Sequence, residues 1–124
     1  EDGNLTLITK VNCLPEGVRA DCGQGFCISK DGKYLYNLLN GYNAVAVLRI
    51  DQDSGEISVI QQIPVEGTHP RICALSLYGR FLITTCLGGE IAVYRVGEDG
   101  LLTKTQHTAH LRGSAYISFF DPHK

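Results

Sequence analysis

The sequence has no methionine, no two cysteines at CxxC or CxxxC spacing, and no apolar run near the roughly 18 residues of a membrane helix. Each absence excludes something. Without a long apolar run there is no helical span, and no membrane partner is expected. Lys and Arg number 11 and are scattered among 13 acidic residues, for a net charge of -2, so the basic footprint of a nucleic-acid binder is missing. Cys13, Cys22, Cys27, Cys73 and Cys86 are odd in number and lack metal-ligand spacing, which excludes a closed disulfide framework and a zinc site. Reduced thiols in a cytoplasmic protein are the expectation. No secretion signal opens the chain, and with methionine missing the translation start is expected upstream of Glu1. No window keeps helical spacing.

Glycine is abundant instead, with 14 of 124 residues, above the average share of roughly 7%. Apolar residues make up 44% and charged residues 19%, a balance that builds a core without disulfides or metal. Length alone allows one domain. The chain also resembles itself. Ile28-Ser29-Lys30-Asp31-Gly32-Lys33-Tyr34-Leu35 matches Leu75-Ser76-Leu77-Tyr78-Gly79-Arg80-Phe81-Leu82 at an offset of 47, and Ala46-Val47-Leu48-Arg49-Ile50 matches Ala92-Val93-Tyr94-Arg95-Val96 at 46. Glu98-Asp99-Gly100 echoes both Asp53-Ser54-Gly55 and the opening Glu1-Asp2-Gly3. Within the first unit the pattern predicts strands over 26–29, 33–39, 44–50 and 56–63, parted by turns at Asp31-Gly32, Gly41-Tyr42-Asn43 and 51–55. The second unit repeats them over 72–76, 80–86, 90–96 and 101–107. Four antiparallel strands per unit is the signature of a propeller blade. The predicted fold is therefore all-β: a partial β-propeller of roughly two and two-thirds blades, with 1–13 as the last strand of one blade, 24–63 and 70–107 as whole blades, and 114–120 as the first strand of a further or closing blade. An all-β sandwich is the alternative, disfavoured because separate segments keep their order and spacing.

Three stretches carry a narrower likeness: Leu14-Pro15-Glu16-Gly17, the run Ile28-Ser29-Lys30-Asp31-Gly32-Lys33-Tyr34-Leu35-Tyr36, and Gly41-Tyr42-Asn43-Ala44-Val45-Ala46-Val47. With Gly67-Thr68-His69-Pro70-Arg71 and the ending Gly113-Ser114-Ala115-Tyr116-Ile117-Ser118-Phe119, the chain resembles the lactonase family of seven-bladed β-propellers. That group includes propeller-type 6-phosphogluconolactonases and a carboxymuconate-cyclising relative. The resemblance implies the C-terminal blades of a cofactor-free hydrolase that opens a sugar lactone such as 6-phosphogluconolactone. It also implies departures. Leu39-Asn40-Gly41 stands where the family often has Asn-Arg-Gly, and Cys22-Gly23-Gln24-Gly25-Phe26 lacks the usual Ala-Glu pair. The missing acid and arginine favour an alternative, a non-catalytic propeller fragment acting as an interaction or assembly module. Two blades and a fraction leave open faces, so self-association or association with the remaining blades is expected.

Chemistry is expected on the loops entering each blade's first strand, 14–25, 64–71 and 107–113, because loops on a rigid scaffold carry function. Opening a lactone needs an activated water and a cationic or hydrogen-bond-donating group facing the developing oxyanion. Arg71, in the Pro-Arg motif, is the candidate that holds a carboxylate, phosphate or carbonyl oxygen, and His69 is the candidate general base. Arg19 and Asp21, in the equivalent loop one blade earlier, are the candidate substrate-binding pair. His107, His110 and Arg112 fall on the third loop. The His107-Thr108-Ala109-His110 spacing suits a metal only on a helix, so no metal or other cofactor is expected. Tyr34, Tyr36, Phe81 and Tyr94 are expected to pack between blades.

Overall fold

Turn chemistry and alternating apolar residues organise the chain locally, and a computed structural model shows what they build. It describes residues 2–20 and 22–123, with Cys22 through its backbone only. Eight strands form among the described residues: β1 Cys22–Ile28, β2 Tyr34–Asn40, β3 Ala44–Ile50, β4 Ile57–Pro64, β5 Pro70–Leu75, β6 Phe81–Cys86, β7 Glu90–Val96 and β8 Leu102–His110. They make two antiparallel four-stranded sheets, ordered β1-β2-β3-β4 and β5-β6-β7-β8. No helix forms among the described residues, so none is long and apolar enough to cross a membrane.

The same local devices close both sheets. In the β1–β2 turn the Gly32 amide donates to the Ser29 carbonyl at 2.9 Å, while the Ser29 hydroxyl donates to Asp31 Oδ1 and accepts from the Tyr34 amide. The bond from Ser29, and after it one from the Lys33 amide at 3.1 Å, hold the Asp31 carboxyl below its ordinary range. In the β5–β6 turn Gly79 donates to the Ser76 carbonyl at 2.8 Å and Phe81 to the Ser76 hydroxyl at 3.2 Å. Both inner strands carry a bulge early in their course, between Gln24 and Phe26 in β1 and between Pro70 and Ile72 in β5.

The larger core lies between the sheets. Tyr36, Leu38, Val45 and Val47 from the first pack against Cys73, Leu82, Cys86, Ala92, Tyr94 and Leu102 of the second. Burying each large apolar side chain of such a layer stabilises by about 1.5–3 kcal/mol, so this layer dominates the docking of one sheet on the other. Its two fully buried tyrosines are satisfied across it: Tyr36 donates to the Gly100 carbonyl at 3.0 Å and Tyr94 to the Pro64 carbonyl at 3.1 Å. Inter-sheet packing is thus the role of this aromatic pair. A smaller cluster, Leu39, Ala46 and Leu48, occupies the opposite face of the first sheet under Cys13 and Leu14. The Gln62 side chain ties that segment down by donating to the Cys13 carbonyl.

Strand limits differ from the sequence pattern. β1 starts at Cys22 rather than 26, because Cys22, Gly23 and Gln24 pair with the long end of β2, opposite Asn40, Leu39 and Leu38. β5 begins at Pro70 rather than 72, and β8 runs on to His110, paired with Glu90, rather than ending at 107. Among the described residues neither 2–13 nor 114–120 forms a strand, since neither pairs with a neighbouring strand. The first crosses the outer side of the first sheet, where Ile8 approaches Gly55. The second brings Ile117 and Phe119 beside Ala74 and Leu75 of β5.

Candidate functional site

Antiparallel order places the start of β1, the β2–β3 turn, the connection 65–69, the start of β5, the β6–β7 turn and the end of β8 on one rim. The connection is firmly seated. Val65 is buried and its amide donates to the Asn43 carbonyl at 3.0 Å. Asn43, itself left-handed at φ 58°, accepts the His69 amide on its side-chain oxygen at 3.1 Å. The His69 carbonyl in turn accepts from Leu87 at 3.0 Å. His69 therefore has its backbone pinned on both sides in a left-handed conformation, φ 52°, while its ring is exposed. A non-glycine residue held there by its surroundings is the kind of local strain that clusters at functional sites.

That ring faces company. Thr68, His69, Leu87, Gly88, His110 and Arg112 line an open groove of 490 Å³. Arg112 reaches it because the chain after β8 crosses directly over Gly89, where a Cβ would stand 2.8 Å from the Arg112 amide nitrogen. Two imidazoles, a hydroxyl and a guanidinium around one depression suit an anionic or carbonyl-bearing ligand.

The other sequence candidates are placed apart from it. Arg71 is the bulged residue of β5. It is exposed, makes no ion pair among the described residues, and does not line the groove. Arg19 is exposed on the segment entering β1, and Asp21 lies outside the described residues. His107 is exposed on β8 and does not line the groove, so only His110 of that pair joins His69. No three His, Cys, Asp or Glu side chains among the described residues could together hold a metal ion.

One residue the sequence pattern did not single out is Glu90, at the start of β7. Its carboxylate is wedged against two glycines. A Cβ at Gly67 would stand 2.8 Å from Oε2, and one at Gly88 would stand 2.6 Å from Oε1. Oε2 is buried without a hydrogen-bond partner, directly beneath the groove residue Gly88. Burial, then the negative charges of Glu90 and Glu66, pushes the neighbouring Cys86 thiol up to about 11. Glu66 itself pairs with Lys104. Nothing local to the Gly88-Gly89-Glu90 stretch announces this seat, because its other wall is Gly67, brought in from another turn.

Two blades side by side, joined at a rim that carries loops, make this chain a segment of a β-propeller. It belongs to the family described as "Lactonase, 7-bladed beta-propeller", whose pattern it matches over residues 1–119. It is 28% identical over 123 residues to a 6-phosphogluconolactonase of Formosa agariphila, a match covering 96% of this chain and 35% of that one. Among solved structures it is similar to a protein from Lactobacillus plantarum, with TM-score 0.79, 27% identity, and coverage of 85% of this chain and 31% of the other. It is also similar to the periplasmic gluconolactonase of Pseudomonas aeruginosa, with TM-score 0.74, 25% identity, and coverage of 80% and 28%. The chain spans about a third of the length of the curated relatives it matches.

Proposed function

We propose that this chain is the part of a lactone-opening hydrolase that carries one section of its active rim, and that the substrate is a sugar lactone such as 6-phosphogluconolactone. The observation that carries the reading is the groove in which His69, His110 and Arg112 converge at the rim of a lactonase-family propeller. In this reading the His69 imidazole takes a proton from a water that attacks the lactone carbonyl carbon. The Arg112 guanidinium in the groove faces the oxyanion that develops, Arg71 on the rim outside the groove binds the substrate's phosphate, and the ring oxygen leaves with a proton to become the hydroxyl of the product acid. Arg19 and Asp21, on the segment entering the first blade, bind the polar substituents of the sugar. No cofactor takes part. The setting in this reading is cytoplasmic, on the odd count of five cysteines without disulfide-framework or zinc spacing.

The test is lactone hydrolysis by the whole polypeptide that contains this chain. His69→Ala and Arg112→Ala are each expected to lower kcat/KM by about 100-fold or more at an unchanged melting temperature. An unchanged kcat/KM in both variants refutes the assignment. One observation favours a second reading, a non-catalytic module that works by assembling with further blades or a second copy. On inner strand β1, Phe26 is 64% and Ile28 48% exposed. Turnover no faster than buffer, in a folded protein that associates through this face, supports that reading instead.

A further inference from the structure

Cys27 on β1 and Cys73 on β5 bring their sulfurs to 3.8 Å across the junction of the two inner strands, and both are free thiols. They come from different register positions. Cys27 opposes Tyr36 within the first sheet, on the side packed against the second sheet, whereas Cys73 looks back from the second sheet into the same core. The pair is asymmetric. Cys73 is only 3% exposed and also lies within donor reach of the Tyr36 carbonyl at 3.7 Å, while Cys27 is half-buried. The Cys73 S–H stabilises a thiolate at Cys27 and draws that thiol below its ordinary value. The same contact, with burial, pushes Cys73 upward. Cys13 and Cys86 are raised by their burial, so Cys27 alone among the described cysteines is biased toward the nucleophilic form.

We propose that Cys27 and Cys73 form a thiol–disulfide exchange site that takes small-molecule disulfides and closes reversibly into a bond between the two blades. The Cys27 thiolate attacks one sulfur of the reagent RSSR, forming a mixed disulfide and expelling RS⁻. Cys73 then gives up its proton and attacks the Cys27 sulfur, expelling the second RS⁻. Two S–H bonds are lost, one S–S bond forms, and the reagent leaves reduced as two thiols. The product joins residues 46 apart in sequence across the inner strands, which restricts the unfolded chain and holds the blades together. The site is independent of the lactonase reading.

The test is incubation of the folded protein with oxidised glutathione, followed by intact-mass and peptide analysis. The wild type is expected to lose two hydrogens and to yield a Cys27–Cys73 cross-linked peptide, reversed by a monothiol. Cys73→Ser is expected to stop at one glutathionyl group on Cys27, formed about tenfold faster than any adduct at Cys73 in Cys27→Ser. The wild-type cross-link needs no variant to be read. A wild type that ends as a glutathionyl adduct without the cross-link, or that bridges another pair of cysteines, overturns the proposal.

Discussion

Phe26 and Ile28 on β1 hold the same register positions as Cys73 and Leu75 on β5, since Ile28 opposes Leu35 as Leu75 opposes Leu82. Their surroundings are opposite. Phe26 is 64% and Ile28 48% exposed, whereas Cys73 is 3% exposed. Further along the same faces, Leu48 and Tyr94 are equivalent, opposing Leu35 and Leu82. Both are fully buried, but under different covers. Leu48 lies beneath Cys13 and Leu14, and Tyr94 beneath the first blade. A blade face is therefore an apolar sheet surface whose burial is decided by whatever is laid on it. Only the face that meets another complete blade is sealed up to its inner strand.

The largest test of that contrast is a pair of truncations at equivalent sites. Leu82→Ala removes a side chain sealed between the blades and is expected to cost about 2–5 kcal/mol in urea unfolding. Leu35→Ala, on the partly covered face, is expected to cost less than half as much. Equal costs would break the comparison. Next come the equivalent turn glycines. Gly100 has φ 79° and packs so tightly that a Cβ would lie 2.3 Å from the Tyr34 ring, whereas at Gly55, φ 76°, the nearest contact is Ile8 Cδ1 at 3.2 Å. Gly100→Ala is expected to cost about 2–4 kcal/mol and Gly55→Ala about 1 kcal/mol by thermal melts, the excess being inter-blade overpacking.

The smallest effect sharpens the comparison electrostatically. Tyr36→Phe leaves the Gly100 carbonyl without its buried donor and is expected to cost about 1–2 kcal/mol. Burial pushes the Tyr36 and Tyr94 phenols above the ordinary tyrosine value. For a group raised in the folded state, the stability it contributes is complete below the unfolded pKa of about 10 and is lost as pH rises through the folded value. Melts from pH 8 upward should show the wild type losing stability above about pH 10 and Tyr36→Phe losing less of it. Parallel curves would remove Tyr36 from the account.

Much of the architecture was legible because it is local. Asp31-Gly32, Tyr78-Gly79 and Asp99-Gly100 mark turns by their backbone needs, and the β-branched run in 44–50 marks β3. Strand ends were not, because they depend on the partner. Nothing in Cys22-Gly23-Gln24 is strand-like, yet β2 extends far enough to pair it. The site was legible only in part. His69, His110 and Arg112 were picked out as loop residues, but their convergence, the separation of Arg71 from them, and the seat of Glu90 needed the rim assembled in three dimensions.

By itself the sequence determined four-stranded units, their turns and their alternating apolar faces, because hydrogen bonding and φ preferences act over a few residues. Tertiary structure alone decided which face of each unit is sealed, which thiols touch and which loop side chains share a groove. Those outcomes follow from the docking of one blade on the next, a contact between residues some 46 positions apart in the pair Cys27 and Cys73.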